Sequence, residues 1–542
     1  MAYVVALASA FLVVSAATAL RPGRRGIFGA LAYPVGWAAG ELAGQGIAIE
    51  GALLGLLWWW GWPRTNWLSL VVVALAAVVT AENAVLIAIL FRSRTVVRRA
   101  MAEAPEFPLE IPRPRDDHFG RWWRTALQIP FHPRDMALER NVAYGPAPRH
   151  RLDVWRRATL DGGAPVIYYL HGGAWTFGDK REQGRPMLHE FVERGWIVVA
   201  SNYRLAPRDP WPAQIEDAAR GLAWIKSNVA SYGGDPGRVV VAGGSAGGHL
   251  AALLALGAGD APWRPGDGAD EVDLSVRGAL SFYGVLEMTG DETHWRGLGQ
   301  GLRSLLERRV VQLPYEGNEH LYADLSPFER ITAGAPPFFV VQGANDTLVE
   351  VNVARAFVER FRRSALAPIY YVELPFTQHS FDVTASPRTS ATTRAAVAFA
   401  ESVVAADPPA PGALAAYRVP PTNLRVEVTK GQWLEARAAA AQLGPYAVVT
   451  SDNPGSQRLS NEENAARRRQ LADFVARRGA VAPETRASDP SGVWPEERGL
   501  ALAGPLRSGA RGLARQFGQF AYYDVERDGV IVRRVADNDA LP

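Results

Sequence analysis

The sequence predicts a mostly parallel α/β sheet with helices on both faces, preceded by about three membrane-spanning helices and followed by a small second α/β domain. Three observations carry this. Apolar runs fill most of residues 1–100. From 145 to 406, short β-rich runs alternate with helical stretches. A proline-rich break over 407–421 then separates a further unit, 422–542, with its own strand and helix pattern.

Composition bounds the chemistry. The 542 residues allow two to four units at roughly 150 residues each. The chain contains no cysteine, which excludes a disulfide framework, a thiolate zinc site, an iron–sulfur cluster and a cysteine nucleophile. The net charge of +3 is far too small for a dedicated nucleic-acid binder. Nine histidines without clustered His/Asp spacing give no reason to expect a metal.

Residues 2–20 form an apolar run without charge, long enough to cross a bilayer. Ala17-Thr18-Ala19 resembles a signal-peptidase site, but no basic region precedes the run and further apolar segments follow. Residues 67–91 are a second clear span. Between them, 27–62 is apolar but interrupted by Glu41, Gln45 and Glu50, ending in the cluster Trp58, Trp59, Trp60 and Trp62. As one helix, 27–62 would run about 54 Å against a ~30 Å hydrocarbon core, so part is expected to be interfacial or broken at Pro34 or Gly46.

Arg21, Arg24 and Arg25 follow the first span and Arg92, Arg94, Arg98 and Arg99 the last, with only Arg64 between. Three crossings put both clusters on one side, which the positive-inside rule makes cytoplasmic. A hairpin within 27–62 would instead carry the rest of the chain outside. Glu82 and Asn83, near the middle of the last span, read as a helix contact. Residues 101–144 read as a juxtamembrane or cap segment, with Phe119, Trp122, Trp123 and Phe131 as its aromatic face.

In the next unit, strands are expected at 165–170, 196–201, 238–242, 278–283, 337–342 and 368–374. Helices are expected near 183–194, 213–230, 246–257, 351–363 and 388–405. Near-continuous apolar strands alternating with helices make a parallel sheet covered on both faces, with function at the carboxyl ends of the strands.

Those ends carry the chemistry. Gly243-Gly244-Ser245-Ala246-Gly247 is a G-x-S-x-G turn between strand and helix, and no lysine follows that would suit a phosphate loop. His171-Gly172-Gly173-Ala174-Trp175 offers backbone amides to a developing oxyanion, with Gly172, Gly173 and Ala246 as the expected donors. Asp346 and His379 follow two later strands. A serine needs a base to take its proton, and the base needs a carboxylate to fix its tautomer. Taken singly, Ser245 could be a small turn residue, Asp346 a helix cap and His379 a loop histidine. Their joint occurrence with the HGG loop points to a triad.

Glu350 and Asp382 are alternative acids. His249, one helical turn after Ser245, is expected to pack behind the turn rather than act as base. The stretch 286–325 reads as a lid or insertion, whose Trp295 could line the site or cover core.

With HGGAW, SNYRLAP, WPAQIEDAARGLAWIKSNVASYGGDPGRVVVAGGSAGGHLAA, SPFERI, GANDTLV and QHSF in place, residues 145–405 resemble the α/β-hydrolase superfamily in its hormone-sensitive-lipase-like and feruloyl-esterase-like carboxylesterase branch. The HGGAW-to-GGSAGGH stretch is also similar to prenylcysteine methylesterases and arylformamidases. The resemblance implies Ser245 as nucleophile, Asp346 as acid and His379 as base, with Gly172, Gly173 and Ala246 at the oxyanion. Ala174 stands where many lipase-like members have glycine, and its Cβ would crowd bulky tertiary-alcohol esters.

Beyond the linker, strands are expected at 446–450, 499–503, 519–524 and 529–534, with helices at 461–478 and 505–517. The pieces TSDNPG, LSNEEN, WPEE and FGQFA resemble a bacterial domain of unknown function, numbered 3293. That family brings no activity with it. Ser460 to Glu463 reads as a helix capping box.

Together these readings lead us to expect a multi-pass membrane serine carboxylesterase that works through an acyl-enzyme, facing the cytoplasm. It would need no cofactor or metal and would act on a small, hydrophobic ester. Membrane lipid is the other expected partner, and nucleic acid is not. An amide hydrolase on the same triad and a non-catalytic membrane scaffold are the alternatives.

Overall fold

A computed structural model of the chain describes residues 2–22, 26–60, 67–102, 111, 135–160, 162–257, 272–290, 295, 299–332, 334–365 and 367–405. In the C-terminal part it describes 425–429, 432–435, 446–450, 460–476, 482–487, 497–503, 521–525 and 530–534. The 407–421 linker, the aromatic residues Phe119, Trp122, Trp123 and Phe131, the helix expected at 505–517, and Arg24, Arg25 and Arg64 lie outside the described residues.

The apolar N-terminal runs form helices α1 (Ala2–Leu20), α2 (Gly26–Glu41), α3 (Ala43–Trp59) and α4 (Trp67–Ala102). Helices α1 and α4 are each long and apolar enough to cross a membrane. Helices α2 and α3 meet at a bend of 84°. The break falls at Leu42, rather than at Pro34 or Gly46, which lie inside the two helices. It is held from outside. Glu41, at the corner, forms a buried ion pair with Arg388, far along the chain.

Polar residues inside this bundle are used between and along helices. Ser9 of α1 donates to Glu50 of α3 at 2.7 Å. Asn83 bonds to Val79 of its own helix at 2.9 Å and lies against Gly46.

The central unit is an eight-stranded sheet. Its strands are β1 (Met136–Ala143), β2 (Arg151–Arg157), β3 (Ala164–Leu170), β4 (Ile197–Ser201), β5 (Gly234–Gly244), β6 (Gly278–Phe282), β7 (Phe338–Gly343) and β8 (Ile369–Leu374). Their order is β1-β2-β4-β3-β5-β6-β7-β8. From β4 through β8 every pairing is parallel, while β1 and β2 form an antiparallel edge.

The six parallel strands are those the apolar runs predict, within a few residues. β1 and β2 were not expected. MALERNVA, at the partly exposed edge, and RLDVWRR, buried at its middle, both carry charges and so lack the continuous apolar run that marks a central strand. The sheet therefore already begins at Met136, inside the segment expected to be juxtamembrane.

Two apolar cores sandwich the sheet. One face is covered by α6 (Ala213–Asn228), α7 (Ala246–Leu256) and α10 (Val351–Ser364). In α10, Val353, Ala354, Phe357, Val358 and Phe361 are buried, a helical stripe along one side. The other face is covered by α5 (Arg185–Glu193), α11 (Pro387–Ala405) and the last turns of α4, whose Val97 and Met101 are fully buried there. Helix α4 thus runs into the core of this unit.

Within 286–325, α8 (Gly299–Leu305), the helical turn after it (Leu306–Val310) and α9 (Glu319–Asp324) pack down through Leu306, Val310 and Tyr322. Trp295 is half-buried against the same core, with the Arg303 guanidinium 5.5 Å from its ring, so it covers core.

The C-terminal part is an antiparallel sheet of β9 (Arg425–Thr429), β10 (Gln432–Glu435), β11 (Tyr446–Thr450), β12 (Glu484–Ala487), β13 (Glu497–Ala503), β14 (Ala521–Val525) and β15 (Val530–Arg534), in the order β10-β9-β12-β13-β11-β14-β15, with one described helix, α12 (Asn461–Ala476). Strands 446–450, 497–503, 521–525 and 530–534 match expectation, whereas the short polar strands 425–429, 432–435 and 484–487 were not foreseen. Ser460 and Glu463 form the reciprocal capping box.

Candidate active site

Ser245 sits between the end of β5 and the start of α7 with φ 55° and ψ −121°. This is a strained conformation for a residue with a side chain. The surroundings enforce it. The Ser245 amide donates to the Phe282 carbonyl at 2.9 Å. A Cβ on Gly247 would fall 2.0 Å from the Leu170 carbonyl oxygen, so only glycine lets α7 start this close to β3.

Asp346 follows β7 and His379 follows β8. The two are joined through His379 Nδ1 and Asp346 Oδ2 at 2.7 Å, both side chains nearly fully buried. The Asp346 carboxylate also accepts from Gln342 Nε2 and from the Leu348 and Val349 amides, each at 2.9 Å. With Nδ1–H given to the carboxylate, Nε2 is left as the basic nitrogen. Among the described residues no hydrogen bond joins the Ser245 hydroxyl to His379. Tyr283 packs on the imidazole with ring centroids 4.5 Å apart, and its hydroxyl end lies against Gly244. Such catalytic contacts commonly tighten only when substrate is bound.

The alternative acids lie elsewhere in the network. Asp382 accepts a hydrogen bond from the Tyr283 hydroxyl, and burial pushes its pKa up to about 6. Glu350 stands at the N-cap of α10.

The oxyanion loop departs from expectation at one position. The Gly172 amide donates to Gln183 Oε1 at 2.8 Å and so is already engaged. The amides of Gly173, Ala174 and Ala246 have no protein acceptor among the described residues. The free donors are thus shifted one residue along the loop. Its backbone turns through positive φ at Gly173 (122°), Ala174 (50°) and Trp175 (58°). A Cβ at Gly173 would lie 2.1 Å from the Phe177 carbonyl oxygen.

The other histidines near the site are structural. His249 Nε2 bonds the Leu325 carbonyl at 2.7 Å and its Nδ1 accepts from the Trp175 indole at 3.2 Å. His171 bonds the Gly172 carbonyl at 2.7 Å and stacks on Tyr203, with ring centroids 4.3 Å apart. Burial pushes both pKa values down to about 4, so both rings are neutral near pH 7. Among the described residues no group of acidic or histidine side chains could hold a metal ion.

Sequence reasoning missed one set of neighbours entirely. The Tyr33 ring of α2 stands edge-on to His379, with centroids 6.0 Å apart. The Trp37 indole donates to the Ser380 carbonyl at 2.9 Å. Asn345, beside Asp346, donates to the Ala19 carbonyl of α1 at 3.0 Å. Nothing in an apolar run marks which side chain will face a loop more than 300 residues away.

Residues 152–361 match the family model BD-FAE, and residues 449–522 match the model "Protein of unknown function (DUF3293)". Three proteins of Mycobacterium tuberculosis are similar to the chain. The probable carboxylic ester hydrolase LipM is 45% identical over 275 residues, covering 50% of this chain and 63% of that protein. Esterase LipQ is 41% identical over 260 residues, covering 47% and 60%, and esterase LipC 38% identical over 265 residues, covering 49% and 65%. The chain therefore spans less than two thirds of the length of each. On this sheet, its strand-end loops and these matches, the chain carries a BD-FAE domain of α/β-hydrolase fold, with a DUF3293 domain toward its C-terminal end.

Proposed function

We propose that this protein is a membrane-anchored carboxylic ester hydrolase that works through a serine acyl-enzyme. The observation that carries the reading is the buried His379–Asp346 pair, 2.7 Å apart, at the same sheet edge as the strained Ser245. Ser245 Oγ attacks the ester carbonyl while His379 Nε2 takes its proton, and the Asp346 carboxylate stabilises the imidazolium. The amides of Gly173, Ala174 and Ala246 receive the oxyanion, and Gln183 keeps the Gly172 amide out of that role. His379 then gives its proton to the leaving alcohol, and water, activated by the same imidazole, releases the acid. The similarity to proteins named as ester hydrolases favours an ester over an amide.

The anchor is read as three crossings, α1, α3 and α4, with α2 lying across the hydrolase between the first two. The last carbonyls of α1 and the last turns of α4 both touch the hydrolase, so both ends belong on its side. Helix α3, at about 1.5 Å per residue, then has one bilayer thickness to cover. The arginines at the hydrolase side favour the cytoplasm.

Fluorophosphonate labelling of the detergent-purified full chain tests the chemistry. The expected result is a single adduct on Ser245 that is absent from Ser245→Ala. An unlabelled wild-type protein, or a labelled Ser245→Ala variant, rules the acyl-enzyme out.

A further inference from the structure

We propose that the membrane segment is part of the catalytic site: α2 positions the His379 loop through Trp37 and walls the ester pocket with Tyr33. The substrate class that follows is an ester whose apolar part stays in the bilayer. This inference rests on the serine-hydrolase reading above.

The loop that carries the base is not self-supporting. Phe376 and Ser380, on either side of His379, both have positive φ, 52° and 54°, although neither is glycine. Strained backbone of this kind persists where its surroundings over-determine it. Here much of the surrounding comes from the N-terminal helices. The Trp37 indole N–H holds the Ser380 carbonyl at 2.9 Å, and Gln378 Nε2 reaches the Ala32 carbonyl at 3.4 Å. The other end of the same amide, Gln378 Oε1, accepts from the Thr347 amide and hydroxyl, each at 3.2 Å. The loops of acid and base are thus fastened to each other and to α2 by one side chain.

The corner after α2 is anchored as firmly. Glu41 pairs with Arg388 at the start of α11, with side-chain exposures of 2% and 1%. Ser386 donates to Glu41 at 2.6 Å, and Arg388 also reaches Ser93 of α4 at 3.3 Å. Moving α2 off the loop would strip both buried charges of their partners. The helix is therefore a fixed wall of the site.

On that wall, Tyr33 stands edge-on to the imidazole, and Tyr283, directly after β6, packs on the same ring. The remaining rim is apolar and exposed. Phe177 follows the oxyanion loop, Leu348 follows Asp346 and Phe376 precedes His379. Leu348 and Phe376 belong to the same strand-end loops that meet α1 and α2. A rim continuous with membrane helices on one side suits an ester entering from the lipid.

The test uses the full chain in phosphatidylcholine nanodiscs with nitrophenyl esters from two to sixteen carbons. Fluorophosphonate labelling of each variant counts competent Ser245 sites. Trp37→Phe is expected to lower kcat roughly ten- to a hundredfold at every chain length with KM little changed, because the base is misplaced. Tyr33→Ala is expected to raise KM for long-chain esters about tenfold relative to the acetate, and Tyr33→Phe to restore the preference. Wild-type kcat in Trp37→Phe together with an unchanged chain-length profile in Tyr33→Ala reduces α2 to an anchor and overturns the proposal. A wild-type enzyme that labels and cleaves acetate but ignores long-chain esters in the disc overturns the substrate class alone. Failure of the wild-type protein to label at all instead removes the serine-hydrolase reading.

Discussion

The indole N–H of Trp37 donates to the carbonyl of Ser380, 2.9 Å away and 343 residues along the chain. Ser380 directly follows His379, whose imidazole meets Asp346 at 2.7 Å. One bond from the N-terminal helix α2 therefore bears on the backbone that carries the candidate base. The N-terminal helices and the eight-stranded unit meet at a buried contact made by Glu41, Ser386 and Arg388.

Asp346→Asn is expected to impair ester turnover far more than Asp382→Asn or Glu350→Gln. An amide facing Nδ1 favours the wrong tautomer, which costs up to ~10⁴ in kcat. Asp382 is bonded to Tyr283 and Glu350 stands at the N-cap position of α10, whereas the imidazole is bonded to Asp346. Steady-state kcat on nitrophenyl butyrate ranks the three, and a larger loss in Asp382→Asn would reassign the acid.

Glu41→Gln should destabilise the protein severely. Removing one member of a buried pair leaves the other charge uncompensated, typically at about 3–5 kcal/mol. The double variant Glu41→Leu/Arg388→Met should recover much of that loss, because no lone charge remains buried. Thermal unfolding in detergent compares the three proteins. A Glu41→Gln protein as stable as wild type would mean that the pair does not fasten the anchor.

Acid should weaken the fold as pH falls from 6.5 toward 4. His171 and His249, pushed down to about 4 by burial, take up protons in the unfolded chain before they do in the folded one. Their contribution is complete above the unfolded value and is lost on the way down, on the order of 3 kcal/mol each. Asp382, raised to about 6 by burial, works the other way: its protonated form is favoured in the fold, so its contribution is lost as pH rises through that window. Two histidines outweigh one carboxyl, so the net change is a loss toward acid. Melting temperatures from pH 4 to 7 should show it, with a shallower dependence in His249→Gln. An identical slope in that variant would place the cause elsewhere.

A reporter fused after residue 102 should read cytoplasmic. Both ends that touch the hydrolase, α1 at Ala19 and α4 at Met101, lie on its side, and arginines crowd there. A fluorescent-protein fusion should be bright and an export-dependent phosphatase fusion inactive. The reverse pattern would move the hydrolase outside.

The amino-acid sequence alone determined the parallel strands, the helices between them and the strand-end positions of Ser245, Asp346 and His379. Each was legible because its signal is local: apolar runs of strand length, a Gly-rich turn, a polar residue directly after a strand. Strands β1 and β2 were not legible, because charges interrupt both and leave no continuous apolar run. Gly172 was misread as an oxyanion donor for a related reason, since a motif cannot show that the Gln183 side chain already occupies its amide. The break at Leu42 belongs to the same class. Pro34 and Gly46 are the residues that local rules mark, yet the corner is set by the partner of Glu41, which is Arg388. Tertiary structure alone decided that α2 lies beside His379 through Tyr33 and Trp37. Such contacts join segments hundreds of residues apart, and only packing, where every buried polar group must find a partner, brings them together.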